Sequence, residues 1–405
     1  LEESAQSFWQ LYGEAAKTSL GFFWKAGWAF VLGYGISAMI QAFIPKGKLT
    51  PYMGKPNIKS ISISTVFGSA SSSCSFAALA AARSLFLKGA HFIASVAFMF
   101  ASTNLVIELG ILILIFLGWQ FLGAEIIGGL LLIIISAILI KITYPNKWVE
   151  EARKKVEKEE SSNDDKFDWK ERIKSKKGWY LVGNKFVSDW KMVWEEILIG
   201  FSIAGFIAVF VPNNVWEAIF LQGMKDDLPG WSITLENAMV APFVAAATFI
   251  GSMGNIPLAT VLNSNGVLFA GIMGFIYSDL MVPPLVMINA KYYGKKIALY
   301  IAGIMYISIV ATALILHNIF ALFSIIPESS KKVEDIAQFA FDYTFFLNIG
   351  FVITAIILIW LAKKYKETTN TKRGMDMPGS SKTKRVIALL FAIIVFAGLI
   401  IFLLG

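Results

Sequence analysis

Long apolar runs dominate this chain, and polar interruptions divide them into elements. A helix that crosses about 30 Å of hydrocarbon needs about 20 apolar residues. Runs of that kind occupy roughly 22–44, 91–117, 119–141, 194–211, 267–290, 297–325, 344–364 and 386–404. Two further stretches, 61–87 and 233–264, are apolar but broken. The first carries Ser69, Ser71, Ser72, Ser73, Cys74 and Ser75, interrupted only by Ala70. The second carries Pro242, Gly251, Ser252, Gly254, Asn255 and Pro257. Backbone that leaves the helix at that depth is tolerated only inside protein or beside a water-filled cavity. The pattern therefore predicts an all-α polytopic membrane protein, with about eight full spans and two re-entrant hairpins of broken helix.

Polar segments set the boundaries. Residues 1–20 set Phe8, Trp9, Leu11 and Tyr12 against Glu2, Glu3 and Glu14, which predicts an interfacial amphipathic helix. A first membrane repeat is expected over 21–145 and a charged cytoplasmic loop over 146–191. A second repeat is expected over 192–326. Two C-terminal spans fill 327–405, joined by a polar cytoplasmic linker at 365–385.

Charge decides whether the broken stretches cross. The chain is 56% hydrophobic and 16% charged, with 36 Lys and Arg and a net charge of +8. Lys and Arg gather in cytoplasmic loops. If both broken stretches are hairpins, 31 of these residues fall inside and 5 outside; if both cross, the split is 20 to 16. The hairpin topology gives each half the same elements in opposite directions, an inverted repeat of the kind secondary transporters use. Sliding 75–102 onto 252–279 pairs Ser75 with Ser252, Leu85 with Leu262, Gly89 with Gly266, Phe92 with Phe269 and Phe98 with Phe275. The same register sets Phe100 against Tyr277 and Ser102 against Asp279.

Broken helices at mid-depth expose N–H groups that favour anions and carbonyls that favour cations. The expected substrate site lies between Ser72, Ser73, Cys74 and Ser75 on one hairpin and Ser252, Met253, Gly254 and Asn255 on the other. Asn263 also lies on the second hairpin. Cys74 and Met253 are soft sulfur ligands, although a lone cysteine in a membrane helix is commonly a packing residue. Asn104 and Glu108, one turn apart, are expected on one helix face behind the first hairpin. Asp279 is expected behind the second. Glu108 and Asp279 are candidates for proton coupling, because an ionisable group at depth is functional by default. Glu125 is read as interfacial and Arg83 as snorkelling.

Much other chemistry is excluded. One cysteine and two histidines supply neither disulfides nor a histidine-rich metal site. No GxxxxGK[ST], HExxH, GxSxG or CxxC motif occurs, so the chain reads as no enzyme, with no cofactor. Topology accounts for its positive charge, without nucleic acid. The expected partners are the lipid bilayer, a small-molecule substrate and protons, with oligomerisation open. A passive channel with the same hairpins, or a membrane-embedded scaffold or enzyme, is the alternative.

The block GSASSSCSFAALAAARSLFLKGAHFIASVAFMFASTNLVIELGILILIFLGWQF resembles the first motif of the ArsP-type permeases, and GSMGNIPLATVLNSNGVLFAGIMGFIYSDL resembles the second. Together the likeness covers roughly residues 20–325. It implies a permease of a bacterial or archaeal cell membrane that exports trivalent organoarsenicals without ATP. Related sequences often show a CSC-type cluster in the first hairpin and a cysteine near the start of the second. This chain has Ser72, Ser73 and Cys74 at the first and Ser252 at the second, so Cys74 is its only thiol.

Overall fold

A computed structural model describes residues 8–43, 50–71, 75–157, 169–224, 227–327, 333, 339, 341–369 and 382–404. Among these residues the regular elements are helices alone. In the first half they are α1 (Phe8–Phe43), α2 (Ile58–Ser71), α3 (Ser75–Leu87), α4 (Phe92–Asn104), α5 (Ile107–Phe116) and α6 (Trp119–Thr143). Two short helices follow, α7 (Asn146–Glu157) and α8 (Trp169–Lys174). The second half holds α9 (Lys176–Phe210), α10 (Asn213–Ile219), α11 (Gly230–Thr248), α12 (Ser252–Ser264), α13 (Phe269–Ile276), α14 (Pro283–Tyr293) and α15 (Lys295–Leu322). Last come α16 (Tyr343–Thr369) and α17 (Lys382–Leu404).

Six of these helices are long and apolar enough to span a bilayer, and two bent pairs raise the number to eight. The protein is thus an all-α polytopic membrane protein. Lipid-facing stripes are explicit: Ile126, Leu130, Ile134 and Ile138 of α6 are exposed, as are Phe346, Ile353 and Ile357 of α16. Such a one-sided stripe is what a helix against lipid needs, because the tails are as apolar as the side chains.

The register read from the sequence is matched by the backbone. Helices α3 and α12 start at the paired residues Ser75 and Ser252, and α4 and α13 at Phe92 and Phe269. Between them Gly89 and Gly266 both take positive φ, at 96° and 78°. Each closes the preceding helix with the same pair of bonds: Ala90 N to Leu85 O and Gly89 N to Phe86 O, then Val267 N to Leu262 O and Gly266 N to Asn263 O. This is the Schellman pattern, in which a residue without Cβ pays no penalty for left-handed backbone. The likeness continues to Gly118 and Gly294, at φ 103° and 95°, which open α6 and α15.

Several elements depart from the sequence expectation. The runs 91–117 and 267–290 are not straight spans. The first bends by 40° between α4 and α5, and the second by 41° between a 3-10 turn, Tyr277–Met281, and α14. In the first, Val106 is extended. In the second, Pro283 and Pro284 open α14, where proline suits the first turn but cannot continue a preceding helix. Residues 8–20 continue into the membrane run as the single helix α1. Helix α9 starts at Lys176, inside the expected loop. Phe186 and Trp190 stack at 6.5 Å on it, Trp179 meets Phe43, and Gly183 lets Leu358 of α16 approach its backbone.

Helices α1 and α9 pack along each other at the centre, with α16 and α17 against both. Asn348 of α16 inserts into α1, donating to Trp24 O at 2.8 Å and accepting from Trp28 N at 2.9 Å. Lys25 of α1 pairs with Asp342 at 2.8 Å.

Candidate functional site

Hairpin one is α2 followed by α3. Its tip, Ser72, Ser73 and Cys74, lies outside the described residues. Ser75, the next residue, opens α3 and is buried. Its hydroxyl donates to Asp279 Oδ2 at 2.9 Å. Asp279 sits in the 3-10 turn at the second bend and is 0% exposed. Its other oxygen, Oδ1, has no hydrogen-bond partner. One carboxylate thus joins the hairpin of the first half to the broken span of the second.

Hairpin two is α11 followed by α12. Left-handed Phe249, at φ 55°, ends α11, and Gly251 caps α12. Thr248 Oγ1 accepts from Ile250 N at 3.2 Å and meets Asn255 Oδ1 at 3.3 Å, which ties the tip together. Ser252, Met253, Gly254 and Asn255 are all buried. Their neighbour is α9. A Cβ on Gly200 would lie 2.6 Å from Gly254 Cα, and one on Gly251 would lie 2.5 Å from Glu196 Oε2. Glu196 is itself paired with Lys384 of α17 at 2.7 Å.

Asn104 and Glu108 do not share a helix face, as their spacing had implied. Asn104 ends α4 and Glu108 lies in the first turn of α5, with the chain out of helix between them. Asn104 Nδ2 donates to Phe100 O and Thr103 Oγ1, and its Oδ1 has no partner. It lines an apolar cleft of about 470 Å³ at the first bend, between Thr65 and Ser69 of α2 and Leu122 and Ile126 of α6. Glu108 is buried against α1, where a Cβ on Gly33 would come within 2.9 Å of its own Cβ.

The structure therefore brings Ser75 and Asp279 together. It sets Ser252–Asn255 against α9 and places Asn104 and Glu108 on either side of a bend. Glu125, read from the sequence as interfacial, is instead buried, and sequence reasoning missed Glu196 and Tyr277, which are buried too. For Tyr277 a signal existed, its pairing with Phe100. For the two acids, spacing gave none.

The model of a family described as "Predicted permease" (ArsP_1) matches residues 11–318. The chain belongs to this permease family. It is also 34% identical, over 328 residues, to "Putative permease Rv2963" of Mycobacterium tuberculosis (strain ATCC 25618 / H37Rv), covering 78% of this chain and 79% of that one. No solved structure matches it. The permease is accordingly a multi-pass protein of the cell membrane. Its family match ends before α16 and α17, the pair whose Lys384 reaches Glu196.

Proposed function

We propose that this permease is a secondary exporter of a small thiophilic solute, a trivalent organoarsenical being the test case. Transport runs by alternating access at a site between the two hairpins. The observation that carries the reading is the buried Ser75–Asp279 hydrogen bond. It ties the start of α3, one residue from Cys74, to an ionisable group on the opposite half. A change in the charge of Asp279 is then felt at the hairpin that would hold the solute, which is what coupling requires. Asp279 and Glu108 are the coupling groups; Ser72, Ser73, Cys74, Ser75, Asn104 and Ser252–Asn255 line the path. Cys74 supplies the sulfur for a thiophilic solute, which it binds as thiolate.

Flux of phenylarsine oxide into inverted proteoliposomes, with and without a pH gradient, tests this. Gradient-driven accumulation is expected, and Cys74→Ser should abolish it. Flux that only dissipates a solute gradient would mark a channel, and unchanged accumulation by Cys74→Ser would remove the sulfur role.

A further inference from the structure

Glu125 lies in the second turn of α6, near the end of a span, yet it is 2% exposed. Neither carboxyl oxygen has a hydrogen-bond partner. Tyr277, beside it, donates its hydroxyl to Ala124 O at 2.9 Å, which leaves the phenol oxygen free to accept a hydrogen bond from a neutral Glu125. Asp279 lies two residues further on in the same 3-10 turn. Its Oδ2 holds Ser75 while its Oδ1 has no geometric partner. An ionised carboxylate without hydrogen bonds is costly in such a place. These buried, unpartnered oxygens fit a group that takes up and gives away a proton.

Position supplies direction. Glu125 is six residues past the start of α6 and Tyr277 eight past the start of α13, or roughly 9 and 12 Å along the axes at about 1.5 Å per residue. In the topology with 31 basic residues inside, both helices start at the external face. Asp279, two residues past Tyr277, lies further from that face than Glu125.

We propose that Glu125 is the external proton acceptor of the permease and passes its proton to Asp279. This deepens, and rests on, the reading of the chain as a coupled exporter. In the step, the Glu125 O–H bond breaks and its electron pair stays on the carboxylate. Asp279 Oδ1 takes the proton and becomes neutral. The Ser75 hydroxyl then faces an uncharged acceptor, and a charge-assisted bond becomes an ordinary one of about half the strength. The start of α3 is loosened.

Other ionisable groups on the packed elements include Glu236 of α11, which accepts from Asn237, Lys291, Tyr292 and Tyr293 at the end of α14, Lys295 and Lys296 at the start of α15, and Lys141 at the end of α6. Helix α4 has none, and α5 carries Glu108 against α1. On α15, Tyr300 bonds Thr143 at the far end of α6, Tyr306 bonds Met239 O, and His317 lines a separate outer cleft. Glu196 of α9 is paired with Lys384.

Two measurements on the full chain test the relay. Acid-minus-alkaline infrared difference spectra, recorded in nanodiscs without solute, should show a protonated carboxyl band that Glu125→Gln lacks and Glu125→Asp restores. Asp279→Asn should change the pH at which that band appears. Identical spectra for wild type and Glu125→Gln would overturn the proposal. In proteoliposomes, Glu125→Gln should lower pH-driven phenylarsine oxide flux by roughly tenfold or more, yet keep exchange of the arsenical at equal pH. Loss of both modes in a folded variant would make Glu125 structural and also overturn the relay. Absence of arsenical flux in the wild type would overturn the exporter reading, with the infrared result still deciding Glu125.

Discussion

At the scale of single residues, the close contacts fall where side chains are absent. Gly200 of α9 and Gly254 of α12 meet backbone to backbone, and a Cβ on Gly200 would lie 2.6 Å from Gly254 Cα and 2.8 Å from Gly254 O. No flexible side chain can yield there, so α9 and hairpin two must separate. Gly200→Ala should therefore destabilise by about 1–3 kcal/mol, the usual cost of overpacking, and lower the thermal midpoint in detergent. Gly303→Ala on α15, where a Cβ meets nothing within 4 Å, is the control and should leave the midpoint in place. A Gly200→Ala midpoint equal to that of the control would mean the two helices part at no cost. The same scale shows what could be read without coordinates. Ser75 and Asp279 stood out because polar groups in apolar runs are expensive. Glu125 did not, because closeness to a span end favours an interfacial position. Its burial shows only in the fold, where Tyr277 and Leu316 pack over Gly128, one turn further along α6.

Elements are held by caps from outside themselves. Arg153 of α7 reaches the end of hairpin one, donating from its two terminal nitrogens to Phe86 O and Ala90 O at 3.0 Å each. Its guanidinium also lies 4.2 Å from the Phe86 ring centroid. Carbonyls at a helix end lack partners within the helix, and a planar fork serves two at once where a lysine cannot. Arg153→Lys and Arg153→Ala should both lower the local opening free energy of 86–91 by about 1–2 kcal/mol, which is roughly 5–30-fold faster amide exchange. Hydrogen exchange read by mass spectrometry checks this; protection unchanged in both variants would show that α7 is a bystander. The region 146–191 had looked like a solvated loop or helical hairpin; it carries the helices α7 and α8 and the start of α9, and its charge hides the role of Arg153. The hairpin ends, by contrast, were legible: Gly89 and Gly266 were paired by register, and both take left-handed backbone. The bends were less so. Pro283–Pro284 marks one, but Leu105–Val106 in the other carries no breaker, and tertiary packing must fix it.

For the whole molecule, the order of the apolar runs was legible, because bilayer thickness dictates their length, but not the N-terminal extensions of α1 to Phe8 and of α9 to Lys176. How the runs sit in the membrane is a separate matter, and it rests on charge. The order α2–α3, α4–α5, α6 repeats as α11–α12, α13–α14, α15, with matching helix starts and matching positive-φ glycines. A duplicated unit can be inserted in the same or the opposite orientation. Opposite insertion requires an odd number of crossings between equivalent points, and hence that α2–α3 and α11–α12 each return to the side they entered from. Helix α3 has 13 residues and α12 has 13, or about 20 Å each at about 1.5 Å per residue. Neither is long enough to cross about 30 Å of hydrocarbon alone. Returning hairpins also place 31 of 36 basic residues on one side. Single cysteines at Lys48 and Lys88, which flank hairpin one, should then react with a membrane-impermeant maleimide from the cytoplasmic side only. The background is Cys74→Ser, which removes the sole native thiol. Cysteines at Lys225 and Lys331, on either side of the second repeat's hairpin and last two spans, should react only from outside. Labelling of Lys48 and Lys88 from opposite faces would make hairpin one a crossing segment. The two halves would then lose their opposed orientation, and a site shared between two inward-facing hairpin tips could not form.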